Sequence, residues 1–263
     1  MTTSHARFTL SLLLAAFASL PVVAYGRGIA LASDASAAQA IAHTEAWIKA
    51  NPKDTAGYRA LAHLHALAWA YGETIPLADT LRPDSLPLFT EKTTVLVSRT
   101  ASRESLLWWN SKAVPAGDRQ DRPVTADEAK HLAASIVAYR KAIELDATDA
   151  LSELGLGWML AQEGKYVREL PADHFGQHKP TDAELELQAL DHYRKAYDLR
   201  AKADLAGEPT YQVDSQISAK AGVQILAVLA KHPDAAKKGE VQAVQDVLKP
   251  LAEKWGGLMA RPQ

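Results

Sequence analysis

One run of four residues occurs twice in this chain with identical spacing, and it constrains the fold more than any other feature. Each copy has a small residue, an aromatic residue four positions later, a second small residue, and then an apolar one. The members are Ser135, Tyr139, Ala142 and Leu145 in the first copy and Ala189, Tyr193, Ala196 and Leu199 in the second. Spacings of three and four place such side chains on one face of an α-helix. The two copies therefore predict two helices, each with the same combination of small, aromatic and apolar side chains along one face.

A different helical pattern lies between the two copies, over residues 150–166. Leu156, Gly157 and Leu160 fall on one stripe of the predicted helix. Gly157 has no side chain, so we expect a neighbouring helix to approach closely at this point. Gly164 is expected to end the helix as a turn residue.

These two patterns together resemble the tetratricopeptide repeat, whose units of about 34 residues each form a pair of antiparallel helices. In that family the first helix carries Leu, Gly and an aromatic residue at the positions of Leu156, Gly157 and Leu160, and the second carries the four-residue run described above. Glu153 departs from the family, which has a large residue there. The resemblance implies an all-α solenoid of stacked helix pairs, because one pair cannot bury both of its apolar faces alone.

A further copy of the pattern lies upstream, between residues 36 and 71. It consists of Ala40, Thr44, Trp47 and Ala50, followed by Tyr58, Leu61 and Ala62 at the start of the next helix. Pro52 stands where the family often has proline, whereas Trp47 replaces a small residue. The resemblance thus implies about three to four helix pairs within residues 36–256.

The spacing of the copies predicts two inserts, each between the two helices of one pair. Ala142 and Ala196 are 54 residues apart, and Trp47 and Ala142 are 95 apart. Both distances exceed a repeat of about 34 residues, so we expect a long insert at 72–127 and a short one at 166–182. Insertions in repeat arrays often lie on the binding face, which makes the long insert the expected place for a specific function.

The long insert is expected to be partly ordered. Several X-Pro pairs, beginning with Ile75–Pro76, favour an extended path in its first part. Residues 93–97 are expected to form a short strand and residues 102–110 a short helix.

The carboxyl-terminal part is expected to form a last helix pair without a clear repeat signature. Its helices are predicted at 211–231 and 234–255, with Pro233 between them. Pro250 is expected to kink the second helix, and Gly256–Gly257 to end it.

Composition excludes several classes of protein. The net charge is -2 and there is no basic block, so we expect no binding to nucleic acid, which depends on neutralising phosphates. The chain has no cysteine, which excludes disulfides, thiolate metal sites and thiol nucleophiles. A hydrophobic fraction of 48% with 23% charged residues is typical of a globular chain with a sizeable core.

Residues 1–24 have the features of an export signal. Arg7 gives a basic start, and residues 8–24 form a 17-residue apolar stretch. Small residues before Tyr25 offer a cleavage point, and a second candidate lies after Ala32. The alternative is an uncleaved membrane anchor, although a spanning helix usually needs about 20 apolar residues. We therefore expect a bacterial protein that is exported to the periplasm or to the extracellular space. We expect no transmembrane segment in the mature chain.

Trp108 and Trp109 are the first candidates for a binding function, because tryptophan is enriched where interfaces bind most strongly. As adjacent residues of a helix, they point in different directions. One interpretation is an aromatic anchor for a partner or a glycan. The other, which we favour, is that they pin the insert to the solenoid.

His174 and His178 are four residues apart in the short insert and would share a face if that stretch were helical. Phe175–Gly176 between them makes a helix unfavourable, and the sequence offers no third strong ligand. We therefore expect no bound metal and no cofactor.

The pair Glu104–Ser105 invites comparison with lytic transglycosylases, in which a catalytic Glu is followed by Ser. Those enzymes need a Gly-Leu-Met-Gln run soon afterwards, and the nearest similar run here, 257–259, lies at the terminus and lacks the Gln. Phosphate-binding loops and nucleophile elbows are also missing from the sequence. No catalytic residue is therefore predicted.

These observations favour a non-catalytic scaffold that holds a protein or peptide partner in the groove of the solenoid. Candidate groove residues are Arg59, His63 and Ser152, on helices that open a pair. One alternative is an envelope enzyme, or a binder of small ligands or glycans, with its site between 72–127 and the solenoid. Another is a structural part of an envelope assembly. The oligomeric state is left open.

Overall fold

The computed structural model describes residues 33–71, 74–77, 123–207 and 217–260. Its elements in chain order are β1 (Ser33–Ser36), α1 (Ala37–Ala50), α2 (Thr55–Tyr71), β2 (Thr74–Leu77), α3 (Ala126–Leu145), α4 (Ala150–Lys165), α5 (Asp182–Ala206), α6 (Ile217–Lys231) and α7 (Glu240–Ala260). Short 3-10 turns occupy Ala172–Phe175 and Pro233–Ala235. Apart from the short strand pair, the described ranges are helical, so the expected all-α class is confirmed.

Each α-helix packs against the next one along the chain, from α1 to α7. The most extensive contacts join α4 with α5 and α2 with α3, across the two predicted inserts. Buried apolar side chains form one continuous core that reaches from α1 to α7. Trp69, Tyr139 and Tyr193 are the largest of its fully buried side chains.

The first turns of five helices are stabilised in two different ways. At α3 and α5 a threonine and a glutamate cap each other's backbone N–H groups, as in a capping box. These pairs are Thr125 with Glu128 and Thr181 with Glu184. At α2, α4 and α6 an aspartate accepts from a first-turn N–H instead. These aspartates are Asp54, Asp149 and Asp204, with N–H···O distances of 3.0, 3.1 and 3.0 Å.

Small residues stand opposite each other where paired helices meet. The hydroxyl of Ser135 on α3 donates to the carbonyl oxygen of Ala62 on α2 over 2.8 Å. On α4, a Cβ atom added to Gly157 would lie 2.8 Å from the Tyr193 ring and 3.1 Å from the Ala189 carbonyl oxygen. The close approach expected at Gly157 is therefore present.

A second glycine of α4, Gly155, faces the preceding helix. A Cβ atom at this position would lie 2.4 Å from Cζ and 2.7 Å from the hydroxyl oxygen of Tyr139 on α3. The helix α4 is thus held between two tyrosines, one from α3 and one from α5, and each ring needs a glycine beneath it. The repeat pattern in the sequence predicted this role for Gly157 but not for Gly155.

The last pair, α6 and α7, has the same kind of contact despite its weak sequence signature. A Cβ atom added to Gly222 would lie 3.0 Å from Leu248 Cδ2 and 3.2 Å from Val244 Cγ1. Aliphatic side chains occupy the place that a tyrosine has in the contacts of α4. The contact between α6 and α7 therefore cannot be recognised from the aromatic residue of the four-residue run.

The strands β1 and β2 pair antiparallel, with Ser33 opposite Leu77 and Ser36 opposite Thr74. Pro76 is tolerated because a two-stranded ladder leaves one edge of each strand unpaired. β1 leads into α1, and β2 follows α2. The ladder therefore joins the start of α1 to the end of α2. The sequence predicted extended backbone at residues 75–76, but it did not predict that β1 would be the paired strand.

Gly164 was expected to end its helix as a turn residue, and this prediction was wrong. The helix α4 includes Gly164 and ends at Lys165. A Cβ atom at Gly164 would lie 3.2 Å from that of Leu185 on α5. Its lack of a side chain therefore serves helix packing.

The last helix also differs from the expected 234–255. It begins at Glu240, because a 3-10 turn follows His232 and Gly239 adopts a positive φ of 76° just before the helix. It continues past Gly256–Gly257 to Ala260 and contains Pro250 in its interior. The two glycines therefore do not end it. The predicted start of α6 at 211 lies outside the described residues.

Candidate functional site

The three expected groove residues do not share one open surface. Arg59 is partly exposed, with 38% of its side chain accessible. His63 and Ser152 are buried. The expectation that His63 and Ser152 line an accessible groove is therefore corrected, because each side chain is enclosed by the packing of its helix.

Asp149 explains the position of both Arg59 and Ser152. Its Oδ1 accepts from the backbone N–H of Ser152, and its Oδ2 accepts from the Ser152 hydroxyl over 2.7 Å. Oδ2 also lies 3.0 Å from an Arg59 guanidinium nitrogen. This buried carboxylate thus caps α4 and links it to α2.

A second aspartate joins the start of α6 to the preceding helix. Asp204 accepts from the hydroxyl and the backbone N–H of Ser218 over 2.7 and 3.0 Å. Its second carboxylate oxygen lies 2.9 Å from an Arg200 guanidinium nitrogen. A buried aspartate thus accepts from a first-turn serine at both α4 and α6, although Asp149 caps its own helix whereas Asp204 and Arg200 both lie on α5.

Glu153 forms a buried polar contact between α4 and α5. Its Oε2 lies 2.6 Å from Nδ1 of His192, and its Oε1 lies 3.7 Å from Nζ of Lys195. Glu153 is the residue that departs from the family pattern. Its charge is accommodated because both partners project from the facing helix.

Two further histidine–carboxylate pairs connect elements that the sequence could not bring together. His174 Nε2 lies 2.7 Å from Glu163 Oε1 and fixes the short insert to the end of α4. His232 Nε2 lies 2.6 Å from Glu186 Oε2, and Lys231 contacts the same carboxylate. These pairs tie the short insert to α4 and the end of α6 to α5.

The metal candidates His174 and His178 are not brought together. His174 belongs to the 3-10 turn Ala172–Phe175 and is paired with Glu163, whereas His178 is exposed. Among the described residues, no group of three or more His, Asp or Glu side chains is arranged to hold a metal ion.

Two histidines of α2 and α3 are in contact, and a third, His63, is buried on α2. The Nδ1 atoms of His65 and His131 are 2.9 Å apart, and the two rings are tilted by 40°. Burial lowers the pKa of His63 to about 3 and that of His65 to about 4, with a further contribution from His131 to the latter. Burial also lowers the pKa of His131, although Asp127 and Glu128 oppose the shift. These imidazoles are therefore neutral at pH 7.

The predicted repeat positions fall mostly in the core. Eight of them are buried, namely Ala62, Tyr139, Ala142, Leu156, Gly157, Leu160, Tyr193 and Ala196, while Tyr58 and Leu61 are half-buried. Trp108, Trp109 and Glu104 lie outside the described residues, as do the strand predicted at 93–97 and the helix predicted at 102–110.

Comparison with known proteins found no matching family model, no similar curated protein and no similar solved structure. Across the parts of the chain that the structure describes, none of the helices has the length and apolar character needed to span a membrane.

We expect replacement of Asp149 by alanine to lower the free energy of unfolding by about 2–3 kcal/mol. The variant removes a helix cap and leaves the buried Ser152 hydroxyl without its acceptor. Chemical denaturation would measure the loss. Asp146→Ala is the matched control, because the donor to the Asp146 carboxylate within the described part of the chain is Thr148 of the same turn. Equal losses in the two variants would contradict the role assigned to Asp149.

Proposed function

We propose that this chain is an exported, tetratricopeptide-like scaffold that holds a protein or peptide partner and has no catalytic role. The observation that supports the proposal is the repeated contact between small residues of paired helices. Ser135 meets Ala62, and Ala189 meets Gly157, at equivalent positions of two pairs. Stacked pairs of this kind generate extended surfaces suited to binding.

The partner is expected at the surface around Arg59, together with the insert at 72–127. Tyr58 and Arg59 at the start of α2 are half-buried, and Lys141 and Asp146 at the end of α3 influence the same region through their charges. We call these four residues the Arg59 surface. His63 and Ser152 are too deeply buried to contribute contacts.

Site-specific photocrosslinking in the source cells would test this function. A benzophenone amino acid at Tyr58 preserves an aromatic side chain and should yield one discrete adduct with a partner protein. Val137 is the control position, because its side chain on α3 is 64% exposed and is not part of the Arg59 surface. Positions Trp108 and Trp109 would test the insert in the same way. Absence of adducts at Tyr58 and at both tryptophans, or equal adducts at Val137, would contradict the proposal.

Export is part of the same proposal and has its own test. Mass spectrometry of the protein recovered from the cell envelope should find an amino terminus at Tyr25 or Ser33. Both starts retain β1, which begins at Ser33. Recovery of the chain from the cytoplasm with residues 1–24 still attached would contradict export.

A further inference from the structure

The polar contact between α2 and α3 joins two histidines, whereas the other histidine contacts described above each join a histidine to a carboxylate. The Nδ1 atoms of His65 and His131 are 2.9 Å apart, and the ring centroids are 5.2 Å apart. With both rings neutral, the Nδ1–H of one ring donates to the Nδ1 lone pair of the other. The contact therefore requires that one of the two Nδ1 atoms carries no proton.

This contact accommodates one added proton but not two. The charges of Asp127 and Glu128 favour the protonated form of His131, and the charge of Lys130 opposes it. We therefore expect His131 to bind the first proton at Nε2, which leaves its Nδ1–H free to donate to His65. The second proton has to bind at Nδ1 of His65, where it removes the acceptor and brings two cations into contact.

The charges that act on the two rings come from α3 and from the rings themselves. Burial and the charge of His131 lower the pKa of His65 to about 4. The strand β2, which packs against α2, has no titratable side chain. Within the described part of the chain, the charged groups of α1, α4 and the 3-10 turn Ala172–Phe175 do not contribute to the pKa of either ring. A carboxylate that could stabilise a second positive charge at His65 is therefore not supplied by these elements.

The histidine contacts of the later helices respond to protonation in the opposite way. His192 lies 2.6 Å from a carboxylate oxygen of Glu153, and His232 lies 2.6 Å from a carboxylate oxygen of Glu186. A proton added to either ring completes a charge-assisted hydrogen bond to an ionised carboxylate. Mild acid therefore weakens the polar contact between α2 and α3 but preserves those that join α4 to α5 and α5 to α6.

We propose that the contact between His65 and His131 is an acid-sensitive joint, at which the unit of β1, α1, α2 and β2 opens away from α3–α7 while these later helices stay packed. The unit contacts the later helices chiefly through α2 and α3. The ladder of β1 and β2 joins the start of α1 to the end of α2, so the unit can move as one body. Such opening of one cooperative part is a common form of partial unfolding.

Other contacts keep the joint closed at neutral pH. The hydroxyl of Ser135 donates to the carbonyl oxygen of Ala62, and Arg59 on α2 is paired with Asp149. Neither contact involves a group that titrates between pH 7 and the ordinary histidine pKa of 6.5. The closed form is therefore fully stabilised above pH 6.5, and the contribution of His65 is lost as the pH falls toward about 4.

Opening would divide the Arg59 surface. Tyr58 and Arg59 lie on α2, whereas Lys141 lies on α3 and Asp146 directly follows it. A partner held by both sides of this surface would be released in acid. This consequence rests on the function proposed above, whereas the joint itself does not.

Hydrogen exchange of the backbone amides, read by mass spectrometry of peptic peptides, tests the joint without a partner. If the pKa of His65 returns from about 4 to 6.5 on opening, the equilibrium constant for opening rises by up to about 300-fold between about pH 7 and about pH 4. After correction for intrinsic exchange rates, protection of α1 and α2 should fall by up to this factor. At the acidic end it should lie at least about tenfold below the protection of α5 and α6.

Three variants test the role of the pair. His65→Gln removes the group that binds the second proton and should make the protection of α1 and α2 nearly independent of pH in this range. His131→Gln gives a protonated His65 a carbonyl acceptor, so the fall in protection should be smaller than in the wild type. His178→Ala, which removes an exposed histidine of the short insert, should keep the wild-type fall.

The wild-type chain alone can overturn the proposal, so the test does not depend on the folding of a variant. Protection of α1 and α2 that is independent of pH, or that equals the protection of α5 and α6 at every pH, would contradict a local joint. A wild-type fall that persists unchanged in His131→Gln would assign the effect to burial of His65 and not to the pair. None of these readouts depends on the photocrosslinking result at Tyr58.

Discussion

Replacement of Gly155 by alanine should destabilise the protein by about 2–3 kcal/mol, although alanine is the better helix former by up to about 1 kcal/mol. The added Cβ would lie 2.4 Å from Cζ of Tyr139, whose ring is fully buried and cannot move without shifting α3. Chemical denaturation of the variant and the wild type would measure the difference. A result near zero would mean that the ring can shift at little cost.

Two further variants separate this clash from a general effect of the substitution. Gly164→Ala changes a glycine of the same helix at a less crowded position, where the nearest atom is 3.2 Å away, and should destabilise the protein by less than Gly155→Ala does. In the background of Gly155→Ala, the change Tyr139→Leu should recover part of the lost stability. A double-mutant cycle gives the coupling between the two positions: if they are in contact, the double variant must lose less stability than the sum of the losses of the two single variants.

Acidification should destabilise the chain through the histidines of α2 and α3. The folded-state pKa values of His63 and His65, about 3 and about 4, lie below the ordinary value of 6.5. The unfolded chain therefore binds protons first as the pH falls. The stabilisation is fully present above pH 6.5 and is progressively lost toward pH 4, by an amount on the order of 5 kcal/mol for the two residues together.

Denaturant midpoints between about pH 7.5 and about pH 4.5, with a chelator present, would measure this loss. The double variant His63→Leu/His65→Leu should show a much shallower dependence on pH. The variant His178→Ala, which lacks only an exposed histidine, should keep the wild-type slope. Identical slopes in all three proteins would assign the acid sensitivity to other groups, such as the capping carboxylates.

Local patterns predicted much of the helical structure. The four-residue run with Tyr193 predicted α5, and the stripe with Gly157 predicted α4. The close contact between these helices follows from the small side chains that the sequence has at these positions. Helix periodicity and side-chain volume are properties of neighbouring residues, so they can be recognised without knowing the fold. The same reasoning found the region of α1 and α2 despite the mismatch at Trp47.

Contacts between distant residues could not be predicted in this way. Arg59 and Asp149 are separated by 90 residues, and Glu153 and His192 by 39. Each pair depends on which helices become neighbours across an insert of irregular length. Glu153 carried a usable signal, because a charged residue that departs from the repeat pattern at a packing position calls for a buried partner. Gly155 carried none, since a glycine inside a helix does not reveal which ring lies above it.

The ladder of β1 and β2 has a practical consequence for labelling and display. Because Ser33 lies opposite Leu77, the first residue of β1 and the last residue of β2 lie at the same end of the ladder. Neighbouring strands are about 5 Å apart. A fluorophore attached at Ser33 would therefore lie beside Leu77 of the predicted long insert, where it would obstruct any partner that binds there.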